Sequence, residues 1–287
     1  MIIVCLRGRL GNQMFQYAAG RSLAYRLGVS LGIDNFTNSK KIENTQLYNL
    51  NINVKQIPHN LLPPRKYSNR IKWALWRLGL RPPQIFYQDG LSYNEKFEQV
   101  TENTYLYGYW QSEKYFHECK DIIKSDFEFI SSPKGQNLDT YQELLETPST
   151  IALHIRRGDY LEKKHLSIFS SCSQDYYDKA VRYIVEHCRI KPSVFVFSDD
   201  PEWVAENFKP SFPFKVINHN PPNKAIEDLR LMSVCKHHVI ANSSFSWWGA
   251  WLGKNENKIV IAPEQWFASP KYSNPDIYCK NWVRIKN

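Results

Sequence analysis

The stretch H-V-I-A-N-S-S-F-S-W-W-G-A-W-L, His238 to Leu252, decides how this chain folds. His238 to Ala241 is short and apolar, which predicts a buried strand. Phe245 to Leu252 predicts a helix, and Asn242, Ser243 and Ser244 form the polar turn between them. The same alternation runs outward on both sides. Upstream, Phe214 to Ile217 reads as a strand and Ala225 to Cys235 as a helix. Before them come a strand at Ile151 to Ile155, a helix at Asp175 to Cys188, a strand at Val194 to Phe197 and a short helix at Pro201 to Phe208. The longer helix carries Tyr177, Ala180, Val181 and Ile184 on one face, and the shorter one has proline in its first turn. Downstream, Lys258 to Ala262 is a fifth strand. Strands and helices alternating at this spacing predict a parallel, doubly wound α/β sheet.

The first half begins the same way. Ile2 to Leu6 predicts a strand, Arg7 to Gly11 a glycine turn, Asn12 to Leu27 a helix and Val29 to Ile33 the next strand. Residues 34 to 90, rich in Asn, Pro and aromatics, give few elements. A strand at Thr104 to Tyr109 and helices at Ser112 to Asp121 and Leu138 to Glu146 follow. The chain has 287 residues, and about 150 residues per domain predicts two domains. The boundary is expected between Pro133 and Pro148, giving domains 1–148 and 149–287.

Composition excludes several classes. A hydrophobic share of 43% with 14% aromatics is that of a packed chain, not a disordered one. No uncharged apolar run is long enough for a spanning helix. The apolar start meets Arg7 and Arg9 at once, so it reads as a first strand and not as a signal peptide. The formal charge of +9 points to an anionic partner: nucleic acid, a lipid surface or a phosphorylated small molecule. The charge is spread over both halves, without a basic tail. Six scattered cysteines show no metal or redox spacing and read as reduced thiols of a cytoplasmic protein.

Three stretches follow predicted strands, where open parallel sheets bind ligands. In G-R-L-G-N-Q, Gly8 to Gln13, two glycines bare the backbone, and Gly11, Asn12 and Gln13 open a helix whose free amides suit an anion. The plain alternative is a strand-to-helix turn capped by Asn12. In H-I-R-R-G-D-Y, His154 to Tyr160, His154 and Arg156 share one face. An arginine there can fork onto a diphosphate, and Asp159 can orient an arginine or act as a base. A surface Arg–Asp pair is the alternative. In A-N-S-S-F-S-W-W, Ser243 and Ser244 at a helix start make a phosphate cradle, or simply cap a buried helix.

Weaker features complete the reading. Of Asp199 and Asp200, one can bind ribose hydroxyls or the amino edge of a base while the other caps the helix at Pro201. His237 and His238 point to opposite faces of a strand, which argues against a shared metal. Arg65 to Arg81 carries six basic residues and no acid, with Ile71, Leu75 and Leu78 at helical spacing beside Trp73 and Trp76. Such a segment can lie on an anionic membrane surface, or pack on its own domain with a solvated basic face.

Together, G-R-L-G-N-Q-M-F-Q-Y-A, H-I-R-R-G-D-Y and E-D-L-R-L-M-S-V-C-K-H-H-V-I-A-N-S-S-F-S-W-W resemble, in order and spacing, glycosyltransferase family 11, the α-1,2-fucosyltransferases, in their bacterial form. The likeness covers most of the chain and is thinnest between residues 34 and 100. More distantly, G-R-x-G-N-Q, H-x-R and S-S-F resemble the protein O-fucosyltransferases. The resemblance implies a GT-B-type α/β fold, with two Rossmann-like domains facing a central cleft. It implies GDP-L-fucose as donor, a galactose-terminated glycan as acceptor, and no metal. By it, His154 and Arg156 match H-x-R with the arginine on the diphosphate, and Ser243, Ser244 and Phe245 match the phosphate-side loop. Asn12 matches an asparagine facing the reacting centre, and Asp199 or Asp200 an acidic position near the nucleoside. Domain 1–148 is then the acceptor side and 149–287 the nucleotide-sugar side, in a cytoplasmic enzyme; the membrane-surface reading of the 65–81 segment would put it at the inner face of the membrane. A β-linked donor giving an α-fucoside requires inversion, with Asp159 the candidate base. The rivals are another GT-B enzyme using a different nucleotide sugar, and a nucleic-acid-binding protein, against which the dispersed charge speaks.

Overall fold

The computed structural model describes residues 1–35, 45–58, 61, 63–64, 69–80, 83–158, 172–189, 191–269 and 271–287. Asp159 and Tyr160 lie outside the described residues, as do parts of the 65–81 segment. The chain forms two compact units, Met1–Ile130 with Asn274–Ile277, and Ser131–Ser273 with Tyr278–Asn287.

The first unit contains β1 (Ile2–Cys5), α1 (Leu10–Arg26), β2 (Leu31–Asp34), α2 (Arg70–Arg77), β3 (Gln84–Tyr87), β4 (Thr104–Tyr107) and α3 (Lys120–Asp126). Its strands run in the order β2-β1-β4-β3, and every pair is parallel. Helix α2 docks through Trp76, fully buried against Ile3, Cys5 and Tyr105, with its ring edge-on to Tyr105 at 4.9 Å. The helix expected at Ser112 to Asp121 is instead a 3-10 turn at Glu113–Cys119 followed by α3. Ser112 caps the turn, and Phe116 leaves helical geometry at φ −139°, which seats its buried ring by Phe15.

The second unit contains α4 (Gln136–Glu146), β5 (Thr150–Ile155), α5 (Gln174–Cys188), β6 (Ser193–Ser198), α6 (Pro201–Asn207), β7 (Phe214–Ile217), α7 (Ala225–Val234), β8 (His237–Val239), α8 (Ser244–Trp251), β9 (Val260–Pro263) and β10 (Val283–Ile285). The sheet order is β10-β9-β8-β5-β6-β7, parallel throughout. Alternation along β5 and β6 divides the core between two faces. Ile151, Leu153, Val194 and Val196 pack with Tyr176, Ala180 and Ile184 of α5. Ala152, Phe195 and Phe197 pack with Leu144, Leu231 and Met232. Both faces are covered, which is why the strands read as continuous apolar runs.

The α/β, Rossmann-like expectation therefore holds in each unit, with strand and helix ends shifted by one or two residues. The expected boundary at 148/149 moves to 130/131. Helix α4 belongs to the second unit because Leu144 is fully buried in that unit's core. The edge strands β3 and β10 escaped the sequence because each is short and half-exposed.

Candidate active site

In the second unit the strand order reverses between β5 and β8. Strands β6 and β7 extend one side of β5, while β9 and β10 extend the far side of β8. Open parallel sheets bind ligands outside the carboxyl ends of the strands at such a reversal. The residues there are His154 to Arg157 at the end of β5 and Ala241 to Phe245 after β8. The two stretches touch: the His154 and Phe245 rings lie 5.8 Å apart.

Arg156 and Arg157 leave β5 between two carboxylates. Arg156 Nη1 lies 3.0 Å from Asp199 Oδ2, and the Arg157 amide donates to Asp199 Oδ1 at 2.9 Å. A Cβ at Gly158 would stand 2.3 Å from Asp199 Oδ2, so a side chain there would displace the carboxylate that holds Arg156. Asp200 caps α6 by accepting from the Trp203 amide at 3.2 Å. Its other oxygen lies 3.3 Å from Arg157 Nε, and the Arg157 guanidinium stacks over Trp203 at 3.4 Å. Asp199 thus holds and orients the Arg156 guanidinium, while Asp159 lies outside the described residues. Both carboxylates are therefore paired, Asp199 with Arg156 and Asp200 with Arg157 and the α6 amide.

Ser243 is the N-cap of α8. Its buried hydroxyl accepts from the Phe245 amide at 3.3 Å and donates to none of the described residues, so its proton is available to an oxyanion. Asn242 pins the loop by donating to Trp266 O at 2.9 Å. Ser244 begins the helix. Trp247, Trp248, Ala250 and Trp251 bury its length, and a Cβ on Gly249 would press Met232 at 3.0 Å. The Ser243–Ser244 turn thus stands at the start of a buried, closely packed helix.

In the first unit, α1 starts at Leu10, two residues earlier than expected. The amides of Asn12 and Gln13 donate to Arg9 O at 3.0 and 3.1 Å, so they are not the free amides the sequence suggested. The Asn12 side chain is the feature instead. It lies against Gly8, where φ is +72° and a Cβ would be 2.5 Å from Asn12 Nδ2. Asn12 Oδ1 accepts from Gln111 Nε2 at 2.7 Å, and Gln13 donates to Gly8 O at 3.0 Å. Buried Gln16 ties the loop to the end of β4: it accepts from the Arg7 amide at 2.8 Å and donates to Gly108 O at 3.1 Å.

One acidic group was quoted in the sequence without a task. Asp228, in the first turn of α7 beyond the carboxyl end of β7, accepts from Asn220 Nδ2 at 2.8 Å. Asn220 and His219 both bond to Asn137. Burial pushes the Asp228 carboxyl up to about 7, against the Asn220 hydrogen bond and with help from Glu227.

The model of the family described as glycosyl transferase family 11 matches residues 87–286. The chain is 32% identical to the O-antigen biosynthesis glycosyltransferase WbnK of Escherichia coli, over 98% of this chain and 99% of that protein. The chain is a family 11 glycosyltransferase. It is also 33% identical to an α-1,2-colitosyltransferase of Escherichia coli, over 100% of this chain and 99% of the relative. Among solved structures, the NodZ α-1,6-fucosyltransferase soaked with GDP-fucose has a TM-score of 0.52 at 15% identity, covering 91% of this chain and 94% of its own. That likeness is one of fold.

The family 11 enzyme buries the imidazoles of His154, His237 and His238. Burial holds His154 far below its ordinary value, with Asp199 opposing and Arg156 reinforcing the shift. Burial also takes His238 from 6.5 to about 3, reinforced by Lys258 and His237. Burial lowers His237 as well, and its Nδ1 accepts the Ile259 amide at 3.1 Å. Once unfolded, His154 and His238 take up protons below 6.5. The stability from keeping them neutral is therefore complete above that pH and drains as the pH falls toward 3. Asp228, whose folded value is raised, contributes with the opposite sign, so a variant isolates the histidine. The urea midpoint of the wild type should fall relative to that of His238→Phe between about pH 7 and pH 5. Parallel profiles would contradict this assignment.

Proposed function

We propose that this family 11 enzyme transfers L-fucose from GDP-β-L-fucose to the 2-hydroxyl of a terminal β-galactose, with inversion at the anomeric carbon. The observation that carries this reading is the pairing of Arg156, oriented by Asp199, with the Ser243 hydroxyl at the sheet reversal. Those groups suit a departing diphosphate. The C1–O bond to GDP breaks with its electron pair leaving on the diphosphate, while the acceptor oxygen bonds C1 from the opposite face. Arg156, the Ser243 hydroxyl and the start of α8 meet the growing negative charge with dipoles already in place. On this reading they do the work a divalent ion does elsewhere, and no metal is needed. The acceptor proton passes to a carboxylate, for which the sequence offers Asp159. The second unit is the donor side. The first, with the Asn12 loop, is the acceptor side.

Asp228 fits the base. A carboxylate accepts two hydrogen bonds side by side, and guanine offers N1–H and N2–H on one edge, whereas uracil offers a single N–H. Titration calorimetry with GDP and then UDP, in EDTA, tests the donor reading. Tight GDP binding with little UDP binding is expected, and Asp228→Asn should weaken GDP by roughly tenfold to a hundredfold, the range of a lost hydrogen bond to a charged group. Preference for UDP, or binding only with added metal, would overturn it.

A second donor is favoured by one observation, the 33% identity to an α-1,2-colitosyltransferase. Colitose is fucose without its 3-hydroxyl, so the GDP end of the site serves both. Parallel assays with GDP-fucose and GDP-colitose separate them.

The outward face of α2 supports a membrane-surface location. Ile71, Leu78 and Leu80 are 75%, 73% and 68% exposed, beside exposed Arg70 and Lys72. Exposed apolar groups flanked by cations suit an anionic bilayer. Co-sedimentation with phosphatidylglycerol vesicles should weaken with salt and drop in Ile71→Ser/Leu78→Ser. No binding at low salt would remove the idea. Among the described residues no helix is long and apolar enough to cross a membrane.

A further inference from the structure

Two arginines of the first unit have no part in the chemistry above. Arg7 leaves the end of β1, and its guanidinium carbon lies 4.7 Å from the Tyr107 ring centroid and 5.4 Å from that of Tyr109. Arg77, in the last turn of α2, lies 5.2 Å from the same Tyr107 ring, 4.8 Å from Tyr87 and 5.2 Å from Trp73. Tyr87 and Tyr107 are register partners of β3 and β4, with rings 5.6 Å apart and edge-on. Two cations therefore share one tyrosine.

Both arginines are half-buried, and among the described residues neither meets a carboxylate. The Arg7 guanidinium donates no hydrogen bond to those residues. Arg21, Arg26, Arg156, Arg157 and Arg230 are built differently, each against an acid. Arg77 also reaches the Tyr87 hydroxyl, but stacking on tyrosine satisfies only the faces of a guanidinium and leaves most of its N–H edge for another acceptor. Two half-buried like charges around one ring are unfavourable unless something offsets them. A planar N–H fork is matched by an oxyanion.

The place is equally specific. These groups gather at the carboxyl ends of β1, β3 and β4, the ligand edge of a parallel sheet. Arg7 precedes Gly8, on which the Asn12 amide packs. Gln16 fixes the Arg7 amide and Gly108, which follows Tyr107, in one bridge. We infer that Arg7 and Arg77, on the platform of Tyr87, Tyr107 and Tyr109, form an acceptor subsite for an oxyanion, a sugar carboxylate or a phosphate. The half-exposed tyrosine rings offer faces for the sugar that bears it. The word acceptor rests on the transferase reading; the oxyanion site stands on its own geometry.

The test is calorimetry with inorganic pyrophosphate and with D-glucuronate, on protein held in excess GDP so that the donor site is filled. The wild type should bind at least one of them. Arg7→Gln and Arg77→Gln should each lose tenfold or more in that affinity, while titration with GDP itself stays as in the wild type and shows the variants folded. Arg77→Lys, which keeps the charge without the fork, should recover part of the loss. No anion binding by the wild type, or binding retained in both Gln variants, would overturn the subsite. Failure of GDP to bind would strike the donor reading alone, because dependence on Arg7 and Arg77 is still read from the anion titrations. Assays of one β-galactoside in neutral, uronate-bearing and alkyl-diphosphate-linked forms then separate the sources. Preference for the uronate marks an acidic glycan, and preference for the diphosphate a lipid-linked one.

Discussion

Arg156→Ala is expected to lower kcat on the order of 10²-fold or more, the scale of one lost transition-state donor. The guanidinium stands at the end of β5, where the sheet order reverses, and its side chain is only 12% exposed. Water therefore screens it poorly. Asp199 holds it at 3.0 Å, so little reorganisation is needed when charge appears on the leaving diphosphate. Removing the arginine also leaves Asp199 with a negative charge facing the same place, which adds repulsion to the lost attraction. Arg156→Lys keeps the charge without the bidentate fork and should fall between the two. Steady-state kinetics with GDP-fucose and a β-galactoside provide the check. A near-normal kcat in the alanine variant would mean that Arg156 does not serve the diphosphate.

Trp248→Ala is expected to remove about 3–5 kcal/mol of stability. Trp248 is fully buried, edge-on to Trp247 at 4.8 Å and to Trp251 at 5.2 Å. Truncation removes the largest side-chain type from a packed helix and leaves a cavity that neighbouring indoles cannot fill. A whole domain is stable by only about 5–15 kcal/mol, so the loss is a large share. The helix that loosens is the one whose start presents Ser243 and Ser244. Urea unfolding gives the magnitude, and GDP should protect the variant less than the wild type. A change below about 1 kcal/mol would show that the helix is not anchored by this indole.

Much of the second unit could be read directly. Its strands are covered on both faces, so they appear as unbroken apolar runs, and its helices carry apolar residues at helical spacing. The motifs at Arg156 and Ser243 were legible because both follow such strands. The first unit was harder. The described residues between β2 and β3 reach the core through separate buried groups such as Ile57 and Trp76, and outside α2 these leave no periodic signal. Asp228 and Gln16 lay inside stretches already quoted, but nothing local marks them. Asp228 is a first-turn acid like many others until burial raises its pKa. Gln16 is one more polar residue of a helix until its amide spans β1 and β4.

The sequence alone determined the α/β class, the family and the residues that converge on the strand ends, because strand and helix periodicities and short motifs are local properties. Tertiary structure decided what those residues are free to do. It gave Asp199 to Arg156 and Asp200 to the α6 cap, and by starting α1 at Leu10 it paired the Asn12 and Gln13 amides with Arg9 O. It also gathered Arg7 and Arg77, far apart in the chain, around Tyr107. Hydrogen-bond partners and unpaired charges are set by which strand lies beside which, and that order follows from packing the whole sheet.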